Sequence, residues 1–241
     1  MYKEIPQFGF HIFDKTIGEA WIDLIEAVFK YGEISFDEGR KRLAISNVRW
    51  KSATQIIPDK IVGQFGDKKS LKALVDLTFS QEKMYDTDVV KNFNSGAKSY
   101  YKRIKEGKML DFVIARLSRM PESKKAVMVF PTYKDYQAIM NSQRDDYLPC
   151  LVSVQFRLVK QSRYYNLNTT FNFRSMDVFQ KGHGNFIVLA MLSRVVAKGL
   201  SKKIKDKPIR LGFLDGIITD AHIYRESFSE VEKTLLDYHN K

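Results

Sequence analysis

The chain has one cysteine, Cys150, among 241 residues, with only six prolines and two tryptophans. A single cysteine excludes an intramolecular disulfide and sets the expectation of a reducing compartment, the cytoplasm. No cysteine–histidine spacing suited to zinc is present, so no metal site is expected. A P-loop, an internal repeat and a low-complexity tract are likewise missing. No apolar run continues unbroken for the roughly 18 residues of a membrane span, and no apolar signal core opens the chain, so no membrane partner is expected.

What is present is apolar material for one substantial core, 44% of the residues. Length favours a single domain, 1–241, while leaving room for two. Forty Lys plus Arg face 28 Asp plus Glu, for a net charge of +12. That balance suits phosphates, nucleotides or nucleic acid, and charge alone does not choose among them. A nucleic-acid role needs in addition a mixed aromatic and basic surface, which the sequence does not locate.

Periodicity gives a coarse map. Residues 1–13 read as an irregular arm or short strand. Asp14 or Thr16 caps a helix with apolar positions Ile17, Ala20, Trp21, Leu24, Ile25, Val28 and Phe29, ended by Gly32. Gly39 marks a turn before a strand core, Leu43-Ala44-Ile45, with Arg40-Lys41-Arg42 read as a solvated basic turn. Residues 63–69 read as a loop before a helix ending near Phe79, and a second helix is expected after Thr87 or Asp88. Met109 to Met120 is an amphipathic helix stopped by Pro121. Ala126 to Phe130 is an unbroken apolar strand, expected to be buried on both faces, and 131–147 is a polar connection. Strands at 152–158 and 164–173 precede an all-round apolar central helix from Phe186 to near Gly199, read as too short and interrupted to cross a bilayer. Short strands around Gly216 and a polar helix from Ser227 to Tyr238 close the chain.

The chemically able residues concentrate between Leu148 and Asn185. A lone cysteine is more often an inert small hydrophobe than a nucleophile, but Pro149 before it and a strand after it place Cys150 at a strand entrance. Arg174-Ser175 offers a guanidinium fork and a hydroxyl to a phosphate, although such pairs are usually structural. The Asn185 carboxamide can donate and accept together on a base edge, or cap the helix that follows. His222 and Tyr224, two apart, share a strand face and can both bond a sugar hydroxyl, or can simply pair with each other. Tyr100-Tyr101 reads as packing that can also present a phenol. No one of these residues outweighs its ordinary explanation alone.

Their order and spacing do. Pro149-Cys150 with Gln155-Phe156, the run Arg174-Ser175-x-Asp177-x-Phe179 with Asn185 eleven residues beyond the arginine, and Asp220-x-His222-x-Tyr224 resemble the thymidylate synthase family. Pro121-Glu122-Ser123-Lys124-Lys125 looks like that family's Pro-Asp-Ser-Arg-Arg loop. The first helix resembles a form found in archaeal members and pyrimidine nucleotide hydroxymethylases. The resemblance implies an α+β fold, a mixed sheet packed with helices, dimerising through the sheet. It implies that Cys150 attacks C6 of a pyrimidine nucleoside monophosphate, making C5 nucleophilic toward a one-carbon unit. Arg174 and Ser175 would hold the phosphate, with Lys124 and Lys125 reaching the other subunit's site. Asn185 would read a uracil-type base, His222 and Tyr224 the sugar, and Asp177 belongs to the same signature. Asp76 is the candidate for the glutamate that relays protons near C5, and Tyr100 the candidate phenol. Methylenetetrahydrofolate is the implied one-carbon donor.

Departures from the family pattern set a rival expectation. Leu151 stands where a histidine usually follows the nucleophile, Phe36 to Gly39 offers no arginine for the first phosphate contact, and no pterin-stacking tryptophan is identifiable. Only 17 residues follow Tyr224, where synthases carry a longer segment that closes over folate. The leading expectation is therefore C5 methylation or hydroxymethylation of a pyrimidine nucleotide. The rival is a nucleotide-binding sensor, or a subunit completed by a partner protein.

Overall fold

The computed structural model describes residues 2–5, 9–85, 97–141 and 147–240, with side chains from residue 9 onward in those ranges. One mixed sheet runs in the order β1 (Tyr2–Ile5), β2 (Gly9–Asp14), β4 (Arg40–Ser52), β9 (Ile209–Tyr224), β7 (Tyr165–Phe173), β6 (Leu151–Lys160) and β5 (Val127–Val129). The short strands β3 (Glu33–Asp37) and β8 (Met176–Asp177) add to β4 and β9. Parallel pairs (β2 with β4, β7 and β8 with β9) mix with antiparallel ones. Helices pack on this sheet, so the fold is the α+β arrangement expected.

Two helices, α1 (Ile17–Tyr31) and α7 (Gly182–Ser201), fill the core against the sheet. Thr16, not Asp14, is the cap of α1: its hydroxyl accepts from Glu19 N at 3.2 Å while the Glu19 carboxylate accepts from Thr16 N at 2.8 Å, a reciprocal capping box. Trp21 on α1 donates from Nε1 to Val178 O at 2.8 Å, tying that helix to the segment after β8. Trp50 stacks on Phe186 with ring centroids 4.0 Å apart, joining β4 to α7. The remaining helices are α2 (Lys60–Phe65), α3 (Lys68–Phe79), α4 (Tyr100–Glu106), α5 (Met109–Arg119), α6 (Tyr133–Asn141) and α8 (Phe228–His239).

Several expectations are corrected. The 63–69 loop contains the end of α2 and the start of α3. Asp59 caps α2 through Ile61 N and Val62 N and also accepts from Gly18 N at 3.0 Å, so a side chain supplies the nucleus that six residues lack. β5 is an edge strand with Met128 buried and Val129 52% exposed, so it alternates rather than lying buried on both faces. The polar 131–147 connection carries α6, which has no buried residue and is held by Asp135, whose carboxylate takes both Arg103 nitrogens at 2.7 and 2.8 Å. The short strands around Gly216 are one 16-residue strand, β9, paired along one edge by β4 and along the other by β7. At 20 residues, α7 is the one described helix long and apolar enough to span a membrane by length and composition, contrary to the sequence reading, and 56% of that window is buried inside the protein. The helix expected after Thr87 or Asp88 falls in 86–96, outside the described residues.

Candidate functional site

Cys150 stands half-buried at the entrance to β6, where three contacts fix it. Its carbonyl accepts from Arg174 N at 2.9 Å, across the pairing of Leu151 with Phe173. The Arg174 guanidinium turns back onto the same turn, donating from Nη2 to Leu148 O at 2.7 Å and from Nε to Pro149 O at 3.2 Å. The next amide, Leu151 N, donates to Tyr100 Oη at 3.1 Å. The backbone on either side of the cysteine is therefore held by a cation before it and a phenol after it. Burial, followed by the neighbouring Cys150, pushes the Tyr100 phenol well above its ordinary range, so it stays protonated.

Asn185 is inside the first turn of α7, not at its cap; Lys181 is the cap residue. That frees its carboxamide from backbone duty, and Asn185 lines a narrow cavity with Tyr100, Leu151 and Phe173. The phenol and the amide thus meet around one small space, which Leu151, the residue after Cys150, also lines.

Beyond Arg174 the polar groups continue as a chain across three strands. β8 pairs Asp177 with His222, and β9 pairs His222 with Ala44 and Tyr224 with Arg42. Ser175 Oγ lies 3.5 Å from His222 Nδ1, which is also 2.8 Å from Asp220 Oδ1. Arg42 meets that same carboxylate with two bonds of 2.8 Å. The Tyr224 hydroxyl donates to Asp37 Oδ2. Burial raises the Asp220 carboxyl, but the His222 hydrogen bond and the Arg42 guanidinium outweigh it and hold the group below its ordinary value. Burial, reinforced by Asp37, raises the Tyr224 phenol. The buried Asp177 uses Oδ1 to accept from Phe179 N at 3.1 Å and Gln180 N at 3.0 Å, shaping the turn into α7.

Sequence reasoning missed Arg42 and Asp37. Arg40-Lys41-Arg42 is strand, not a solvated turn: the hairpin turns at Glu38 and Gly39, both with positive φ, and Ser35 opposite Arg42 sets its register. The available signal was the strand core Leu43-Ala44-Ile45 directly after it, whose alternation extends back through Arg42.

Other sequence candidates lie apart. Asp76, in the last turn of α3, pairs with Lys72 Nζ at 3.0 Å rather than with the cysteine turn. Lys124 and Lys125 are exposed in the loop before β5, with Lys124 O accepting from Gln155 Nε2 at 2.9 Å. Gln155 is five positions along β6 from Cys150, roughly 16 Å at strand rise, so the Lys124 backbone lies well away from the cysteine turn. Arg210 lies 4.4 Å from the Tyr164 ring centroid at the base of β7, an aromatic–basic contact near the charged loop 202–207.

A cleft of about 570 Å³ opens beside Phe179 and Gln180, large enough for a cofactor-sized group. Its rings are Trp21, Phe65, Phe179 and His183, but its charged lining is Asp67, Glu230 and Asp237 against Lys233. That lining does not fit folate, which carries carboxylates of its own, and no step below passes through that group. No group of three or more metal-ligating side chains occurs among the described residues.

The family model described as thymidylate synthase matches residues 74–240, a span that holds the cysteine turn, Arg174, Asn185 and the β9 pair. No curated protein matches the chain. At the level of the family this supports a C5 methyl- or hydroxymethyl-transferase type of role, with methylenetetrahydrofolate as the usual one-carbon donor. By the extent of that match and by its α+β sheet, the chain belongs to the thymidylate synthase family.

Proposed function

We propose that this protein is a pyrimidine nucleoside monophosphate C5 one-carbon transferase acting through a covalent adduct of Cys150 with C6 of the base. The observation that carries this reading is the cysteine turn itself, with Arg174 bonded to Leu148 O and Pro149 O and its backbone to Cys150 O. A guanidinium held there fixes the turn that presents the sulfur at the strand entrance, and the sulfur is the attacking atom. Addition of the sulfur to C6 moves electron density to C5, which then takes up an electrophile. Tyr100, kept protonated by burial, can donate to the developing charge on the base or to an intervening water. Asn185 offers the amide that both donates and accepts, which matches O4 and N3 of uracil. Arg174 and Ser175 hold the phosphate. His222 and Tyr224 hold the sugar. The reducing cytoplasm suits a site that depends on a free thiol.

The unit is a single domain, 1–241, working as a homodimer through the sheet. Helices cover one face of the central strands, while on β9 Ile217 is 48% exposed and on β7 Thr170 and Asn172 face outward. An apolar side chain exposed on a central strand calls for a cover. A second copy would also bring Lys124 and Lys125 to the site from which their own strand separates them.

Calorimetric titration with UMP, dUMP, CMP and dCMP tests the assignment. Uracil nucleotides should bind at least about tenfold more tightly than cytosine ones, and Asn185→Asp should reverse that order, since a protonated carboxyl matches the cytosine edge. Equal binding of both bases by the wild type, or an unchanged order in the variant, would contradict it.

A further inference from the structure

The sugar end of the site holds a carboxylate that the reading so far leaves unused. Asp37, at the end of β3, accepts the Tyr224 hydroxyl through Oδ2, and its side chain is only half-buried. This fixes the polarity of the whole edge. With its proton given to Asp37, Tyr224 Oη can only accept from a ligand. His222 is fixed in the same way: Nδ1 faces Asp220, which Arg42 anchors from the other side, so its remaining nitrogen points away from that pair. The ring centroids of His222 and Tyr224 stand 5.0 Å apart, edge to face, so the two side chains pack together on one face of β9. Asp37 Oδ1 belongs to the same carboxylate that takes the phenol proton and so stands on the same edge.

Two adjacent acceptors, the phenol oxygen and the carboxylate bonded to it, call for a ligand with adjacent donors. A ribose cis-diol offers two hydroxyls spaced much like the two oxygens of a carboxylate, and carboxylates read such diols elsewhere in nucleotide-binding proteins. We propose that Asp37 is a specificity-determining residue that selects ribonucleotides over deoxyribonucleotides, with Tyr224 and His222 engaging one sugar hydroxyl and Asp37 the neighbouring one. This rests on the nucleotide reading above and extends it to the class of substrate. A 2′-deoxy sugar would leave a carboxylate oxygen facing a methylene, and a polar group desolvated without a partner is costly.

The experiment compares UMP with dUMP, by calorimetry on the full chain, for the wild type, Asp37→Asn and Glu38→Gln. Asp37→Asn keeps the size and one acceptor for Tyr224 but presents an amide donor to the sugar. Glu38→Gln alters the adjacent exposed carboxylate at the hairpin turn and serves as control. The wild type should favour UMP by about 10- to 100-fold, Asp37→Asn should shrink that ratio to below about threefold, and Glu38→Gln should leave it unchanged. Thermal unfolding of each variant checks that it folds, and Asp37→Ala replaces Asp37→Asn if it does not. A purely structural Tyr224–Asp37 bond would weaken both nucleotides together and leave the ratio intact, which would overturn the proposal. So would a wild type that binds the two sugars equally or prefers dUMP. Failure to bind any pyrimidine nucleotide would instead remove the nucleotide reading and this proposal with it.

Discussion

A guanidinium taken out of water needs carboxylates around it, and Arg42 meets Asp220 with both terminal nitrogens while its side chain is 14% exposed. Asp220 in turn holds His222, so one ion pair orients the imidazole nearest Ser175. Replacing Arg42 by Met strands that carboxylate and should cost about 2 kcal/mol in urea unfolding near neutral pH. The pH dependence has a definite sign. Because the folded Asp220 titrates below its ordinary value of 3.8, the pair's contribution is complete above about pH 4 and is lost as pH falls through the lowered folded value. Unfolding of the wild type near pH 3 should show that loss, and Asp220→Asn should show less of it. Asp220 was legible in its motif, but Arg42 was hidden because only the pairing of β4 with β9, which sets Arg42 opposite Tyr224, lets its side chain reach Asp220. Cys150, Arg174 and Asn185 were legible because motif spacing along one segment carries them, and the chain turns back on itself only once between them, from β6 to β7.

Elements with a helical period were readable: α1, α5 and α8 lie where their apolar stripes and caps place them. Strands were harder, and β9 shows why. Glycine inside an apolar run usually signals a turn or bulge, but at Gly216 the missing side chain makes room for a neighbour. A Cβ there would fall on the carbonyl and ring of Phe171 on β7. The strand therefore continues through a position that local propensity marks as a break, because the packing of Phe171 against Trp50 and Phe186 decides it. Gly216→Ala should destabilise the protein by about 1–3 kcal/mol, measured as a shift in the urea midpoint at constant slope. A neutral effect would mean that Phe171 is free to move. The edge position of β5 was equally invisible, since an apolar run does not say how many neighbours its strand has.

At the scale of the whole molecule, the proposed dimer makes the exposed lysine loop before β5 and the cysteine turn two halves of one site. If each site takes its cysteine from one subunit and Lys124 and Lys125 from the other, two differently damaged chains can repair each other. Cys150→Ala and the double variant Lys124→Ala, Lys125→Ala should each be inactive alone. Refolded together in equal amounts, they should recover about one quarter of the wild-type activity, the share of sites that random pairing leaves intact. No recovery in a sample shown to contain mixed dimers would contradict the shared site.

The central claim is that Cys150 adds to C6 of a pyrimidine nucleotide, and the most direct measurement is release of the C5 hydrogen. UMP, dUMP, CMP and dCMP labelled at C5 would be incubated with the protein, with and without methylenetetrahydrofolate. The account predicts release from a uracil nucleotide by the wild type even without the folate, and a loss of at least about 10³-fold in Cys150→Ala, because removing a covalent nucleophile removes the adduct that loosens that hydrogen. Tight nucleotide binding with no release from any of the four would contradict it and leave the protein as a nucleotide sensor, and release that persists in Cys150→Ala would contradict it outright.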